Sequence, residues 1–239
     1  MTACERVRRF FPLSFLACSQ MRHGLVDATP KDITNSVELY SRIKNIKEYR
    51  SDPKKPEATR RKADVPHLFF SISQPTTNYI LLPRTSSENR KYIPLGFVSP
   101  DIIASDACEI ISETTLYHFG VLTSNVHMAW MRTVCGRLKS DYRYSKDIVY
   151  NNFPWPTPTP EQKKKIEETA QAILDARALY PDCSLADLYD EIAMPRELRV
   201  AHQANDKAVM QAYGFWGKLN TESACVAELM KMYQKLTIS

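Results

Sequence analysis

Glycine is scarce in this sequence. Only six of the 239 residues are glycine, and no two of them are spaced as G-x-G. Proteins that hold a nucleotide or a related cofactor usually cradle it in a glycine-rich turn, because the backbone must approach the ligand closely. The sequence therefore predicts no cofactor-binding turn in this chain.

Paired cysteines and long apolar runs are also missing. The six cysteines are scattered, with no C-x-x-C pair and no histidine at zinc-ligand spacing, so we expect neither a disulfide framework nor a metal site. No apolar run approaches the roughly 20 residues that span a bilayer. Residues 6–18 imitate a short signal peptide, but Pro12 interrupts the apolar part, and an irregular start or a buried helix is the simpler interpretation. We therefore expect a cytoplasmic protein with reduced thiols and no membrane partner.

Catalytic motifs are absent as well. There is no G-x-S-x-G elbow, and spacing singles out no Cys–His pair. Glu161-Gln162-Lys163 has the Glu-x-Lys order of a metal nuclease, but no Pro-Asp partner lies upstream on a strand. Glu161 is better explained by its favourable position at the positive end of a helix dipole. The residues alone therefore show no enzyme site.

What the sequence does contain is the composition of a folded, soluble protein. It is 44% hydrophobic and 25% charged, with a net charge of +5. A net charge of this size favours a polyanionic partner only where it is focused on one surface. The segment 42–62 is the most basic, with nine Lys or Arg against three Asp or Glu. Such a run is either a solvated face or a phosphate-contacting one.

Residue texture divides the chain into four segments. They are an atypical N-terminal segment 1–24, a helical spacer with a basic linker 25–62, a mixed domain 63–156 and a helical C-terminal domain 157–239. The mixed domain contains four short β-rich runs: Leu68–Ile72, Tyr79–Pro83, Tyr92–Phe97 and Cys108–Ile111. We therefore predict an α+β fold, in which a mixed α/β domain is followed by a small all-helical domain.

Helix starts are marked by capping residues and prolines. In the mixed domain, Thr123 or Ser124 caps a helix that Gly136 ends. The spacer carries apolar residues at helical spacing between residues 31 and 50. The C-terminal domain begins four helices, at Thr159, Ser184, Pro195 and Thr221.

The stretch Val149–Pro156, "VYNNFPWP", imitates the Asn-Pro-Pro-aromatic loop of amino-group DNA methyltransferases. Phe153 replaces the first proline of that loop, which removes the rigidity that the chemistry needs. We interpret Phe153 and Trp155 as hydrophobic anchors in a connector that its prolines keep extended. The stretch is thus predicted to be a boundary between domains.

Residues 137–145 alternate in character with period two. As a single strand, one face would carry Arg137, Lys139, Asp141, Arg143 and Ser145, and the other face would include two core tyrosines, Tyr142 and Tyr144. An amphipathic strand is the plain explanation. Lys and Arg, however, donate to guanine, and Asp accepts from the cytosine amine. Lys139 and Asp141, about 7 Å apart on such a strand, would suit a single G·C pair.

Four stretches together resemble one known family. They are Arg84–Pro94, Leu116–Gly120, His127–Arg132 and Tyr142–Pro156. In these stretches the chain is similar to the MmeI-like adenine-specific DNA methyltransferases and restriction–modification enzymes. The resemblance covers their target recognition domain and their helical C-terminal domain, here roughly residues 30–237.

The resemblance implies the specificity end of such an enzyme. Full-length members have a nuclease or spacer and then a methyltransferase core, which uses S-adenosylmethionine to methylate the exocyclic amine of adenine. None of the core motifs occurs here, so the cofactor is implied for the full-length family and not for this chain. Residues 1–24 depart from the family pattern, which indicates a truncated or separately started reading frame.

The resemblance also implies site residues. Bases would be read by Lys139, Asp141, Arg143, Asp106, Ala107 and Glu88. Phosphates would be held by Arg84, Arg90, Lys91, Arg132 and Arg137, although the last two could instead satisfy carbonyls near a helix end. His118 and His127, in apolar surroundings, are predicted to be core residues.

Three functions stay open at this point. The preferred one is a DNA-binding recognition module whose partner is double-stranded DNA. The second is an active or split adenine methyltransferase that needs a separate catalytic subunit. The third is a helical interaction protein whose basic charge is incidental.

Overall fold

A computed structural model of the chain describes Leu25, residues 28–70 and residues 74–238. The helices are α1 Pro30–Thr34, α2 Val37–Ser51, α3 Glu57–Arg60, α4 Leu116–Leu122, α5 Asn125–Val134, α6 Pro160–Ala178, α7 Leu185–Leu188, α8 Arg196–Ala212 and α9 Glu222–Ile238. The strands are β1 Tyr79–Pro83, β2 Thr85–Ser86, β3 Gly96–Val98, β4 Cys108–Ile111, β5 Gly136–Leu138 and β6 Asp141–Arg143. A π-helical turn, Lys146–Tyr150, follows β6. The α+β prediction is confirmed.

Capping contacts confirm the helix starts predicted at Thr159, at Ser184 and at one of Thr123 and Ser124. The Thr159 side chain accepts from the Gln162 amide, and the Gln162 side chain accepts from the Thr159 amide, so α6 begins with a complete capping box. Ser184 caps α7 in the same way, and Ser124 caps α5. Each cap satisfies backbone donors that a helix start otherwise leaves unpaired. Local sequence was therefore sufficient to locate where these helices begin.

The predicted β runs are confirmed only in part. Tyr79–Pro83 and Cys108–Ile111 are strands β1 and β4. Of the run Tyr92–Phe97, only its last two residues belong to β3. Leu68–Phe70 is not a strand, and the rest of the first run lies outside the described residues.

Two small antiparallel sheets meet at Arg84. The first has the strand order β3-β1-β4, with β1 buried along its whole length, and the second has the order β2-β6-β5. The Arg84 amide donates to the Ala107 carbonyl at 2.9 Å, continuing the β1–β4 pairing. The Arg84 carbonyl accepts from the Tyr144 amide at 2.7 Å, continuing the β2–β6 pairing. The main chain of Arg84 thus couples the second sheet to the buried one.

One hydrophobic core extends from the mixed domain into the helical domain. Helix α4 lies closely against α6, where Gly120 provides the space: a Cβ atom there would come within 2.7 Å of Ile166 Cγ2. Real Cβ atoms do not approach so closely, so glycine permits this helix contact. The two domains are therefore joined through a packed interface as well as through the connector.

The connector 149–156 is anchored as predicted. Phe153 is buried, and its ring meets the His127 ring edge-on at a centroid distance of 4.6 Å. The Tyr213 hydroxyl of α8 donates to the Pro154 carbonyl at 2.8 Å. Trp155 lies against Phe153 and Tyr117. The connector consequently belongs to the core between the domains.

Helix α2 confirms the predicted helix of the spacer but exposes its apolar residues. Val37 is 85% exposed and Tyr49 is 59% exposed. Its last turn is nevertheless fixed, because buried Arg50 donates to the carbonyls of Lys62, Val65 and Leu68. No helix within the described ranges is both long and apolar enough to cross a bilayer.

Candidate nucleic-acid interface

Residues 136–143 form a hairpin, and the prediction of one continuous strand was wrong. Strands β5 and β6 pair antiparallel, with Leu138 opposite Asp141, so Lys139 and Ser140 are the two turn residues. Lys139 has a φ angle of 56°, as expected at the first central residue of a tight hairpin turn. Lys139 and Asp141 therefore do not share a strand face. We call residues 136–143 the recognition hairpin.

The central strand of the second sheet has a buried face and an exposed face. Tyr142 is buried, and Asp141 and Arg143, its chain neighbours, point to the opposite side by strand alternation. Asp141 is half-buried and Arg143 is exposed. The predicted core positions of Tyr142 and Tyr144 are confirmed. One acceptor and one donor thus share the outer face of the hairpin.

Arg137 lies on the other face from Asp141 and Arg143, which corrects the predicted grouping. It pairs with Tyr142 across β5 and β6, and its guanidinium lies 4.1 Å from the centre of the Tyr142 ring. Cross-strand partners share a face, so the chain reversal at Lys139 moves Arg137 away from the set in which linear alternation placed it. Its Nη1 also donates to the Ser140 carbonyl at 2.8 Å, which supports the hairpin turn.

A second loop contacts the hairpin. We call Ser87–Lys91, which follows β2, the recognition turn. Glu88 Oε2 lies 3.8 Å from Arg137 Nη1, and both side chains are nearly half exposed. Exposed ion pairs contribute little to stability and can rearrange. The predicted base reader Glu88 and the predicted phosphate contact Arg137 therefore face each other at the protein surface.

A polar cleft of about 780 Å³ opens beside the junction of the two sheets. Of the predicted residues, it is lined by Arg84 and Asp106. Arg84 Nε lies 3.1 Å from Glu109 Oε1, which orients the guanidinium. Ala107, also a predicted base reader, is half-buried and bonds to Arg84 through the main chain.

Some cleft residues were missed by the sequence reasoning. Lys146 and the segment Gln74–Thr77 line the cleft, and the segment lies seven to ten residues before Arg84. The position of Lys146, three residues after Arg143, was the one available signal. The segment had no comparable signal, because its place depends on long-range bonds from the Gln74 side chain to the Pro100 and Ile102 carbonyls.

The Arg132 side chain is partly buried and bonds to other protein groups. Its Nη1 pairs with Glu222 Oε2 at 2.9 Å. Its Nη2 donates to the carbonyls of Lys91 and Arg90, at 3.3 and 3.5 Å. Arg90 is half-buried and Lys91 is exposed. Of the three predicted phosphate contacts in this region, Arg132 is thus the one whose side chain is already bonded to other protein groups.

Three side chains with shifted pKa values lie in the core or between the two domains. Burial lowers the pKa of His127 to about 3, and its Nε2 lies 3.1 Å from the Tyr144 hydroxyl, which confirms a core histidine. Burial also lowers the pKa of half-buried His118 and raises the pKa of Asp206 to about 6. None of these three side chains lines the cleft.

The described glycines lack the spacing of a turn that holds S-adenosylmethionine. Gly120 faces side chains of α6 and α8, and Gly136 belongs to a strand. Gly214 and Gly217 adopt positive φ after α8, but no two glycines have the G-x-G spacing of a cofactor-binding turn. Over the described ranges, no group of three or more His, Cys, Asp or Glu side chains is arranged to hold a metal ion.

Two family models match the chain in tandem. The model of the MmeI target recognition domain matches residues 21–157, and that of the MmeI C-terminal domain matches residues 158–239. The chain belongs to the MmeI family. It consists of an α+β target recognition domain followed by a helical C-terminal domain, as the resemblance predicted.

Two relatives show how much of a MmeI-family protein the chain represents. DNA methyltransferase A of Bacillus subtilis (strain 168) is 39% identical over 201 residues, which cover 84% of this chain and 22% of the relative. A structure of the Type IIL restriction-modification enzyme MmeI in complex with DNA is 49% identical and superimposes with a TM-score of 0.83. The matched region is 90% of this chain and 28% of that protein. The chain thus spans about a quarter of the length of these relatives.

Proposed function

We propose that this chain is the DNA sequence-reading module of a MmeI-family restriction–modification enzyme, with double-stranded DNA as its partner. The observation that carries the proposal is the outer face of the recognition hairpin. There Asp141 and Arg143 stand side by side above buried Tyr142, within a fold similar to an enzyme solved in complex with DNA. Buried tyrosines below and exposed charges above suit a rigid reading surface.

Asp141 and Arg143 have complementary chemistry for base edges. Arginine donates two hydrogen bonds to guanine, and aspartate accepts from the amine of cytosine. Side chains two residues apart on a strand stand about 7 Å apart, a separation that reaches across a base pair or to a neighbouring pair. Asp141 and Arg143 therefore replace Lys139 and Asp141 as the proposed reading pair.

The surrounding cations are proposed to hold phosphates. Lys139 projects at the hairpin tip, Lys91 lies on the recognition turn, and Arg84 and Lys146 line the cleft. Contacts of this kind fix the register of a protein on DNA without reading its sequence. Asp106, Ala107 and Glu88 border the same surfaces and remain proposed base contacts, and Arg90 remains a proposed phosphate contact.

Methyl transfer is proposed to belong to the part of a family member that lies outside this chain. S-adenosylmethionine would bind there, on the same polypeptide or on a separate catalytic subunit, and the action would take place in the cytoplasm. With labelled S-adenosylmethionine and duplex DNA, we expect no methyl transfer by this purified chain. Transfer by the chain alone would favour the active-methyltransferase alternative.

Selection from a pool of random duplexes tests the proposal. We expect the wild-type chain to enrich a defined sequence, and its affinity to fall steeply as salt rises, because phosphate contacts release counterions. Arg143→Gln should relax the preference at one position by about tenfold, since a bidentate base contact is worth about 1–3 kcal/mol. Lys231→Gln, in an exposed pair on α9, is the matched control for loss of charge.

Two outcomes would count against the proposal. A wild-type chain without sequence preference and without salt dependence would favour the helical interaction protein instead. A preference that Arg143→Gln and Asp141→Asn both leave untouched would show that the hairpin face does not read bases.

A further inference from the structure

Arg132 connects the C-terminal domain to the recognition turn. It lies in the last turn of α5, where its guanidinium bridges Glu222, at the first residue of α9, and the carbonyls of Arg90 and Lys91. The Arg132 side chain is 24% exposed, so these bonds are partly shielded from water. Hydrogen bonds between charged groups are about twice as strong as neutral ones. The turn is therefore tied at its C-terminal end to the helical domain.

The recognition turn has little internal support. Its short-range bonds are those of the Arg90 amide to the Ser87 carbonyl, at 3.2 Å, and of the Asn89 amide to the Ser87 hydroxyl, at 3.3 Å. Exposed segments with few buried contacts open at low free energy unless another element holds them. Buried Tyr92, which donates to Asp206, fixes the chain just after the turn, and the bonds from Arg132 hold Arg90 and Lys91 within it.

The same turn leads on to the hairpin. Glu88, two residues before Arg90, lies 3.8 Å from Arg137, whose guanidinium covers Tyr142 and bonds to the Ser140 carbonyl in the hairpin turn. The contacts therefore run without a gap from α9 to the hairpin tip. Each contact is weak by itself, but together they limit the movement of the recognition turn and of the hairpin, which both carry proposed base readers.

We propose that Arg132 and Glu222 are positioning residues, through which the C-terminal domain holds the recognition turn and hairpin in the conformation that reads DNA. The proposal rests on the proposed function and deepens it. Loops held in their bound conformation bind more tightly, because less conformational entropy is lost on association. Arg132, predicted from sequence to contact phosphate, would thus act on DNA through the turn.

Glu222→Gln distinguishes this role from a direct phosphate contact by the sign of its effect. If Arg132 held a phosphate, Glu222 would compete with that phosphate, and removal of its charge would strengthen DNA binding. If the pair positions the turn, the substitution weakens the bond to Arg132 and loosens the turn. We then expect affinity for the selected sequence to fall about fivefold, a loss in the range of one poorly held side chain.

The matched control lies on the same helix. Glu228→Gln removes an equal charge from an exposed pair with Lys231, at 2.7 Å, that is separate from the recognition turn. Its affinity for the selected sequence should stay within a factor of two of wild type.

A measurement without DNA separates this proposal from the proposed function. Hydrogen exchange of the amides in residues 87–91 should be at least severalfold faster in Glu222→Gln than in wild type or Glu228→Gln. Glu222 is about half exposed, so the variant is expected to fold, and an unchanged melting temperature checks this. Unchanged exchange would overturn the positioning role, whatever the DNA results.

The DNA results then decide the rest. Tighter binding by Glu222→Gln would overturn the proposal in favour of a phosphate contact. Weaker and less selective binding by Glu222→Gln, with the control unchanged, would support it. If wild type binds no sequence selectively, the proposed function fails, and faster exchange would support only the structural hold on the turn.

Discussion

The interface between the two domains and the recognition surface use polar side chains in opposite ways. At the interface, the Tyr92 hydroxyl donates to Asp206 at 2.6 Å, Asn205 donates to the Gly120 carbonyl at 2.8 Å, and buried Arg177 donates to the Leu95 carbonyl at 2.9 Å. On the recognition surface, Lys139 and Arg143 are exposed. The first set is buried and satisfied within the protein, whereas the second remains open to a partner.

The difference indicates where stability and specificity reside. A buried polar group without its partner costs about 1–3 kcal/mol, so changes at the interface should lower the free energy of unfolding. An exposed side chain that only a ligand contacts costs little when it is replaced. The exposed face of the hairpin can therefore carry different side chains on one scaffold, and the following predictions test that separation.

Gly120→Val should give the largest loss of stability. Its first added carbon would lie 2.7 Å from Ile166 Cγ2 and 3.2 Å from Ala170 Cβ, so α4 and α6 must separate. We expect the free energy of unfolding in urea to fall by about 3 kcal/mol, at the upper end for overpacking. Gly136→Val is the matched control, since its nearest neighbour would be 3.8 Å away. Equal losses in the two variants would contradict a tight interface.

The charge of Asp206 should make the interface weaker as pH rises. Burial raises the pKa of this carboxyl from an ordinary 3.8 to about 6 in the folded protein. Between these values the folded state binds more protons than the unfolded state, so stability falls with rising pH, by up to about 3 kcal/mol. Asp206→Asn removes the ionisable group and therefore this dependence of stability on pH.

Urea unfolding at pH 4 and pH 7 measures the effect of Asp206. The free energy of unfolding of Asp206→Asn minus that of wild type should be larger at pH 7 than at pH 4. Comparison with the variant cancels the opposite trend from His127, whose lowered pKa makes stability fall below pH 6.5. A difference that does not change with pH would show that Asp206 titrates normally.

Arg177→Met should cost about 2 kcal/mol. The substitution removes the donor to the Leu95 carbonyl and to the Tyr189 hydroxyl, and it leaves both groups buried. Arg196→Met, at an exposed position on the next long helix, is the control and should change stability by less than about 0.5 kcal/mol. Chemical denaturation of both variants makes the comparison, and a similar small loss for both would argue against the buried network.

Lys139→Gly should have the smallest effect on stability and a visible effect on DNA. Lysine at a φ of 56° carries left-handed strain that glycine does not, so the free energy of unfolding should stay the same or rise by up to about 1 kcal/mol. The salt slope of DNA binding should fall by about one if Lys139 holds a phosphate as proposed. A marked loss of stability would show that the hairpin tip belongs to the folded scaffold.

Sequence reasoning was successful where structure depends on near neighbours. Thr159 and Ser184 were identified as helix caps, and a third cap was narrowed to Thr123 or Ser124, because a cap bonds to amides three residues away. It failed at the hairpin, because the tight turn carries Lys139-Ser140 instead of the Asn-Gly or Gly pairs that mark such turns. In their absence the alternating residues 137–145 indicated one strand.

The sequence by itself determined the family, the α+β class, the helix starts and the tyrosines below the hairpin. The tertiary structure alone decided which charged residues share a face and which ones are already engaged. Arg132 meets Glu222, 90 positions away, and Tyr92 meets Asp206, 114 positions away. Periodicity and capping act over a few residues, so no local pattern encodes such pairings. They exist because packing of a common core brings the two domains together.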